Sequence, residues 1–142
     1  MPLDAEVAMY EMIVKEHVPS GSVLIIKPHP FSMTPLAERL SHRINKEYCV
    51  NILPVELRKY PFELMYDLFK YCQIIAFSTT ILSLTYLYDK QVINPMNEKI
   101  MKEFFPTQSW DLIIDSQNLY KNALDNIPGW DRKGMLWCGE NR

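Results

Sequence analysis

At 142 residues, 48% of them hydrophobic and 23% charged, the chain has the length and composition of one globular domain with a single ordinary core, rather than those of a disordered chain. Fifteen basic against seventeen acidic side chains leave a formal charge of -2. That balance excludes the basic stripe on which non-specific nucleic-acid binding depends, so no nucleic-acid partner is expected.

Cys49, Cys72 and Cys138 are widely separated, with neither a CxxC pair nor Cys/His ligand spacing. This points away from a disulfide framework and a zinc site, and toward a reducing, cytoplasmic compartment. The N-terminal stretch MPLDAEVAMYEM carries Asp4 and Glu6 and has no basic region followed by an apolar run, so it does not read as a signal peptide. No run approaches the roughly 18 consecutive apolar residues of a membrane-spanning helix. Any association with a membrane, for instance at its inner face, is expected to be peripheral or through a partner.

In chain order, Leu3, Val7, Tyr10 and Val14 share a helical spacing, which predicts an amphipathic leading helix over 3–17 within a segment 1–19. Pro19-Ser20-Gly21 breaks it. SVLIIK (22–27) is a short apolar run with β-branched residues and predicts a buried strand ended by Pro28-His29-Pro30. Thr34 and Pro35 suit the N-cap and first position of a helix whose apolar face is Leu36, Ala37, Leu40 and Ile44. YCVNIL (48–53) predicts a second strand, and Pro61 opens a helix to about Tyr71. QIIAF (73–77) is a third buried strand, Ser78-Thr79-Thr80 caps an apolar helix through Tyr88, and QVIN (91–94) is a fourth strand. A last helix is predicted over 116–126, followed by an aromatic tail containing Trp130 and Trp137. Short strands alternating with helices predict βαβ units and a doubly wound parallel α/β sheet, with its core over 20–115 and a helix and tail over 116–142.

Open sheets of this kind bind ligands at the carboxyl ends of their strands. Two segments stand at such ends with suitable chemistry. In Lys27-Pro28-His29-Pro30 the prolines restrict the backbone around His29, holding an imidazole that titrates near neutrality at the end of the first strand. In Phe77-Ser78-Thr79-Thr80, consecutive hydroxyls stand beside the N–H groups of a helix N-terminus, an arrangement suited to an anion. The blander readings are a histidine that merely occupies a turn and hydroxyls that merely cap a helix.

The string VLIIKPHP, the P-x-E segment Pro61-Phe62-Glu63, and IIAFSTTILSLTYLYDKQVIN together resemble the C-terminal domain of bacterial sialyl- and polysialyltransferases of the GT-B fold, including the lipooligosaccharide sialyltransferase type. The resemblance spans roughly residues 20 to 115. It implies a Rossmann-like domain forming one half of a GT-B glycosyltransferase, with CMP-sialic acid as donor, no cofactor, no metal, and a role in capsule or lipooligosaccharide biosynthesis. It implies that His29 contacts the donor phosphate and assists the departure of CMP, within a loop shaped by Pro30. It further implies that Ser78 and Thr79, with Thr80, bind that phosphate and that Glu63 holds the ribose hydroxyls or supports the nucleotide pocket. A first-turn helix carboxylate is the alternative for Glu63. Lys27 reads either as a phosphate neighbour or as a solvated strand-end lysine.

In that family the N-terminal domain binds the glycan acceptor and carries an acidic general base, and nothing before residue 20 matches it. The expectation is therefore a chain that binds donor weakly and transfers sugar poorly without an acceptor domain or partner subunit. Two other readings stay open. One is a GT-B-type domain using a UDP-sugar or CDP-glycerol, as in the UDP-GlcNAc 2-epimerase and teichoic-acid polymerase types. The other is a non-catalytic interaction module presenting Tyr86, Tyr88, Trp130 and Trp137. Oligomeric state is not readable from these patterns.

Overall fold

In the computed structural model, residues 1–77 and 79–126 are described. The chain divides into two compact units, Met1–Pro61 and Phe62–Arg142.

The first unit opens with helix α1 (Leu3–His17), as its apolar spacing predicts. Asp4 and Glu6 in its first turn and Lys15 and His17 in its last complement the helix dipole. The Val18 N–H bonds Val14 O at 2.8 Å, and Pro19 then prevents continuation. Gly21 takes φ 87°, a left-handed conformation that costs glycine little, and its N–H reaches Glu47 O at 2.7 Å. That turn feeds β1 (Val23–Ile26), which pairs in parallel with β2 (Cys49–Ile52) from Val23 opposite Cys49 to Ile26 opposite Ile52. Helix α2 (Leu36–Ile44) supplies the crossover, and a short helix α3 (Val55–Arg58) follows β2.

Period-two alternation decides which side of this sheet is covered. Leu24, Ile26 and Val50 pack against Val14, Leu40, Ile44 and Tyr48, so α1 and α2 supply the core over one face. The residues between them point the other way: Val23 is 67% and Ile25 43% exposed, and Cys49 and Asn51 are exposed as well. The fully buried first strand read from SVLIIK is therefore corrected to a half-buried one. A continuous apolar run does not by itself reveal that a second layer is present. Ion pairs brace α1 against α2: Glu11 receives Arg43 at 2.6 Å and Asp4 receives Arg39 at 2.8 Å, while Lys15 pairs with Glu11 within α1 at 2.9 Å.

The start of α2 also departs from expectation. Pro35, not Thr34, holds the N-cap position, and its carbonyl receives the Arg39 N–H at 3.0 Å. No side chain caps the helix; the Thr34 hydroxyl lies 3.4 Å from that of Ser32.

In the second unit the helix expected from Pro61 is a 3-10 turn (Phe62–Met65) continuing into the single α turn α4 (Tyr66–Phe69). Then come β3 (Ile74–Ile75), α5 (Thr80–Tyr88), β4 (Val92–Ile93), α6 (Glu98–Phe104) and α7 (Trp110–Asp125). β3 and β4 are parallel, Ile74 opposite Val92 and Ile75 opposite Ile93, and the Ala76 N–H bonds Ile93 O at 3.1 Å. The core gathers Ile74, Ile81, Leu84, Val92 and Leu124, with Phe62, Tyr66, Ala76 and Leu82 packed on it. Asn97 caps α6 by accepting the Ile100 N–H at 2.9 Å. α7 starts six residues before the predicted Ser116, and the Trp110 indole N–H bonds Phe105 O at 2.9 Å at its start. The predicted tail features at Trp130 and Trp137 lie outside the described residues.

The α/β organisation is thus present as small parallel sheets with intervening helices. The described strands form two two-stranded parallel sheets, β1·β2 and β3·β4. β3 and β4 contribute two residues each, which leaves few ladder hydrogen bonds with which to extend a sheet. Among the described residues no helix is long and apolar enough to cross a membrane.

Candidate functional site

In the first unit, Lys27, His29 and Pro30 occupy the loop that leaves the carboxyl end of β1. The loop is a turn closed by the Ser32 N–H on His29 O at 3.0 Å, with Pro30 and Phe31 at its centre. Proline suits that first central position because its ring presets φ. His29 is exposed, and its Nδ1 accepts the Phe31 N–H at 3.2 Å. The Phe31 ring lies against the imidazole, 5.8 Å between centroids and tilted by 48°. Phe31 and Met33 are 84% and 96% exposed, so the tip beside the histidine is apolar. Lys27 is half-buried, and its Nζ donates to Arg58 O at 3.4 Å. Arg58 in turn donates from Nε to Leu53 O at 2.9 Å and pairs with Glu38 at 3.7 Å. Lys27 therefore helps tie the loop to the segment after β2.

In the second unit, Thr79 and Thr80 stand between β3 and α5, at the carboxyl end of β3, while Ser78 lies outside the described residues. Thr79 occupies the N-cap position with helical φ and ψ of -54° and -13° and makes no side-chain cap bond. The expectation that these hydroxyls simply cap the helix is thus not met at Thr79. The first-turn N–H groups of any helix lack intrahelical acceptors, so this end carries partial positive charge. Glu63 is brought to the same turn. Its Oε1 accepts the Ser83 hydroxyl, whose oxygen lies 3.3 Å from both Thr79 O and Thr80 O. The Glu63 carbonyl accepts the Tyr88 hydroxyl at 2.9 Å, and Tyr88 stacks on Tyr66 at 4.0 Å and 10°. Glu63 is thus a first-turn carboxylate of the Phe62–Met65 segment whose side chain is bonded to α5.

Sequence reasoning missed Asn94 and Gln117. Asn94 is fully buried just past β4; its Nδ2 donates to Gln117 Oε1 and its Oδ1 accepts the Met96 N–H at 3.1 Å. The dipeptide Asn94-Pro95 signals a turn, but nothing local identifies Gln117 on α7 as its partner. The cavity of about 330 Å³ bordered by Cys72, Gln73, Lys90 and Gln91 sits at the amino ends of β3 and β4, opposite to Thr79 and Asn94. Among the described residues no group of three or more His, Cys, Asp or Glu side chains is placed to hold a metal ion.

No family model, curated protein or solved structure matches this chain.

Proposed function

We propose that the chain is the donor-nucleotide-binding domain of a sialyl- or polysialyltransferase-type glycosyltransferase, taking CMP-sialic acid and depending on an acceptor-binding domain or partner subunit for transfer to a glycan. The observation that carries the reading is the KPHP loop, an exposed imidazole at the carboxyl end of a parallel strand with proline on either side. Parallel α/β sheets concentrate ligand chemistry at that end. Glycosyl transfer from a nucleotide-sugar breaks the bond between the anomeric carbon and a phosphate oxygen, so negative charge builds on the departing phosphate. An imidazole N–H aimed at that oxygen donates a hydrogen bond that stabilises the charge as the bond breaks.

The same reading gives Thr79, Thr80 and Ser78 a phosphate-binding role. Its support in the described residues is the placement of Thr79 and Thr80 at the start of α5, where helix N–H groups favour an anion. Glu63 then acts through Ser83, holding the first turn of α5 in place.

Titration of the full chain with CMP, CDP and UDP, followed by calorimetry or NMR and repeated on His29→Ala, tests the proposal. Preferential CMP binding that weakens by about tenfold or more in the variant is the expected result, the size of one lost charge-assisted hydrogen bond. Preference for UDP or CDP would move the assignment to a UDP-sugar or CDP-glycerol domain. Absence of binding to all three at millimolar concentration would overturn the donor-site reading and leave an interaction module.

A further inference from the structure

We infer that the Phe31 backbone N–H fixes the tautomer of His29, so that the loop presents a single donor, Nε2–H, to an anionic oxygen ligand. The inference takes its ligand class from the donor-phosphate reading, but its geometry stands on the turn alone. A neutral imidazole has one donor nitrogen and one acceptor nitrogen. At 3.2 Å from the Phe31 N–H, Nδ1 has the acceptor role, and the proton must then reside on Nε2. The Phe31 N–H cannot turn away readily, because Ser32 closes the turn on His29 O at 3.0 Å and Pro30 presets its first central residue. The tilted contact between the His29 and Phe31 rings adds a second restraint on the imidazole. Phe31 is in this sense a positioning residue, acting mainly through its main chain.

Two substitutions separate the two nitrogens. An asparagine at position 29 carries its acceptor where Nδ1 sits, and its side chain bonds the N–H two residues on in an ordinary Asx-turn. It keeps the bond to Phe31 and lacks the outward donor. A glutamine reaches further and can offer an amide N–H near the Nε2 position.

The test begins without ligand, as nitrogen-detected NMR of the imidazoles in the full chain, with exposed His42 on α2 as the reference ring. The expected result is a His29 locked with Nδ1 unprotonated, more completely than His42, and unchanged in Phe31→Ala, which keeps the N–H. A His29 averaged like His42, or protonated on Nδ1 in its neutral form, overturns the inference. With CMP as the probe, the resonance at Nε2 should shift. His29→Gln should retain binding within about fivefold, and His29→Asn should lose about tenfold or more. The reverse order overturns the inference. If CMP binds to neither the wild-type chain nor any variant, the donor reading fails while the ligand-free tautomer result still decides the positioning claim.

Discussion

The Ser83 hydroxyl donates to the Glu63 carboxylate, joining the first turns of α5 to the 3-10 segment Phe62–Met65. Tyr88, at the far end of the same helix, donates to the Glu63 carbonyl, so one residue is held through both its side chain and its main chain. The P-x-E glutamate is thus part of the framework that sets the beginning of α5.

From this bond follows a measurable coupling. Ser83→Ala and Glu63→Ala should each destabilise the chain by about 1 kcal/mol, and the double variant should lose less than the sum by a similar amount. Urea denaturation of the four proteins checks it. Strict additivity would mean that the two side chains act independently.

Asn94 and Gln117 make a buried polar pair, at 0% and 4% exposure. Asn94→Ala removes a partner from the Met96 N–H and from Gln117 Oε1 together. Leaving buried polar groups unsatisfied should cost about 2–4 kcal/mol. Denaturation midpoints report this loss, and Asn94→Asp should be no better, because it replaces the donor to Gln117 with an acceptor.

Asp89 ends α5 in the left-handed region, φ 52° and ψ 34°, with its N–H bonded to Leu84 O and Thr85 O. A carboxylate there also faces the negative end of the helix dipole. Asp89→Asn keeps a residue that tolerates this conformation and removes the charge, so it should stabilise by about 0.5 kcal/mol. Asp89→Val should destabilise by roughly 1–2 kcal/mol, since a β-branched residue is strained there. Thermal melts of both variants should move in opposite directions.

Burial raises the Tyr10 phenol above its usual 10.0, with the Glu6 carboxylate adding to the effect. Below pH 10.0 the phenol is protonated in both the folded and unfolded chain, and the full stability is present. As pH rises past 10.0 the unfolded chain ionises first while the folded one keeps its proton. Stability should therefore fall until the folded phenol ionises as well. Tyr10→Phe should show a shallower decline in this alkaline window, measured by denaturation at a series of pH values. Equal slopes for the two proteins would contradict the assignment.

Much of the local structure is legible in residue order. The 3.6-residue spacing of Leu3, Val7, Tyr10 and Val14 marks α1, and Ala37, Leu40 and Ile44 mark the buried face of α2. The four apolar runs each contain a strand, shortened at both ends to the residues that enter a ladder. The positions of His29 and Thr79 just past strand ends were readable for the same reason: each follows directly from a strand and a breaker or helix start. The start of α7 was not, because Trp110 is held there by its indole N–H on Phe105 O, five residues back, rather than by a cap visible in the sequence.

The sequence by itself determined the alternation of strands and helices and the residues that stand at the strand ends, since propensity, periodicity and proline act over a few neighbouring residues. The tertiary structure alone decided which strands pair, that Val23 and Ile25 face outward, and that Glu63 meets Ser83 and Asn94 meets Gln117. Those outcomes depend on layers and partners brought together from distant parts of the chain, and no local pattern encodes which distant group will arrive.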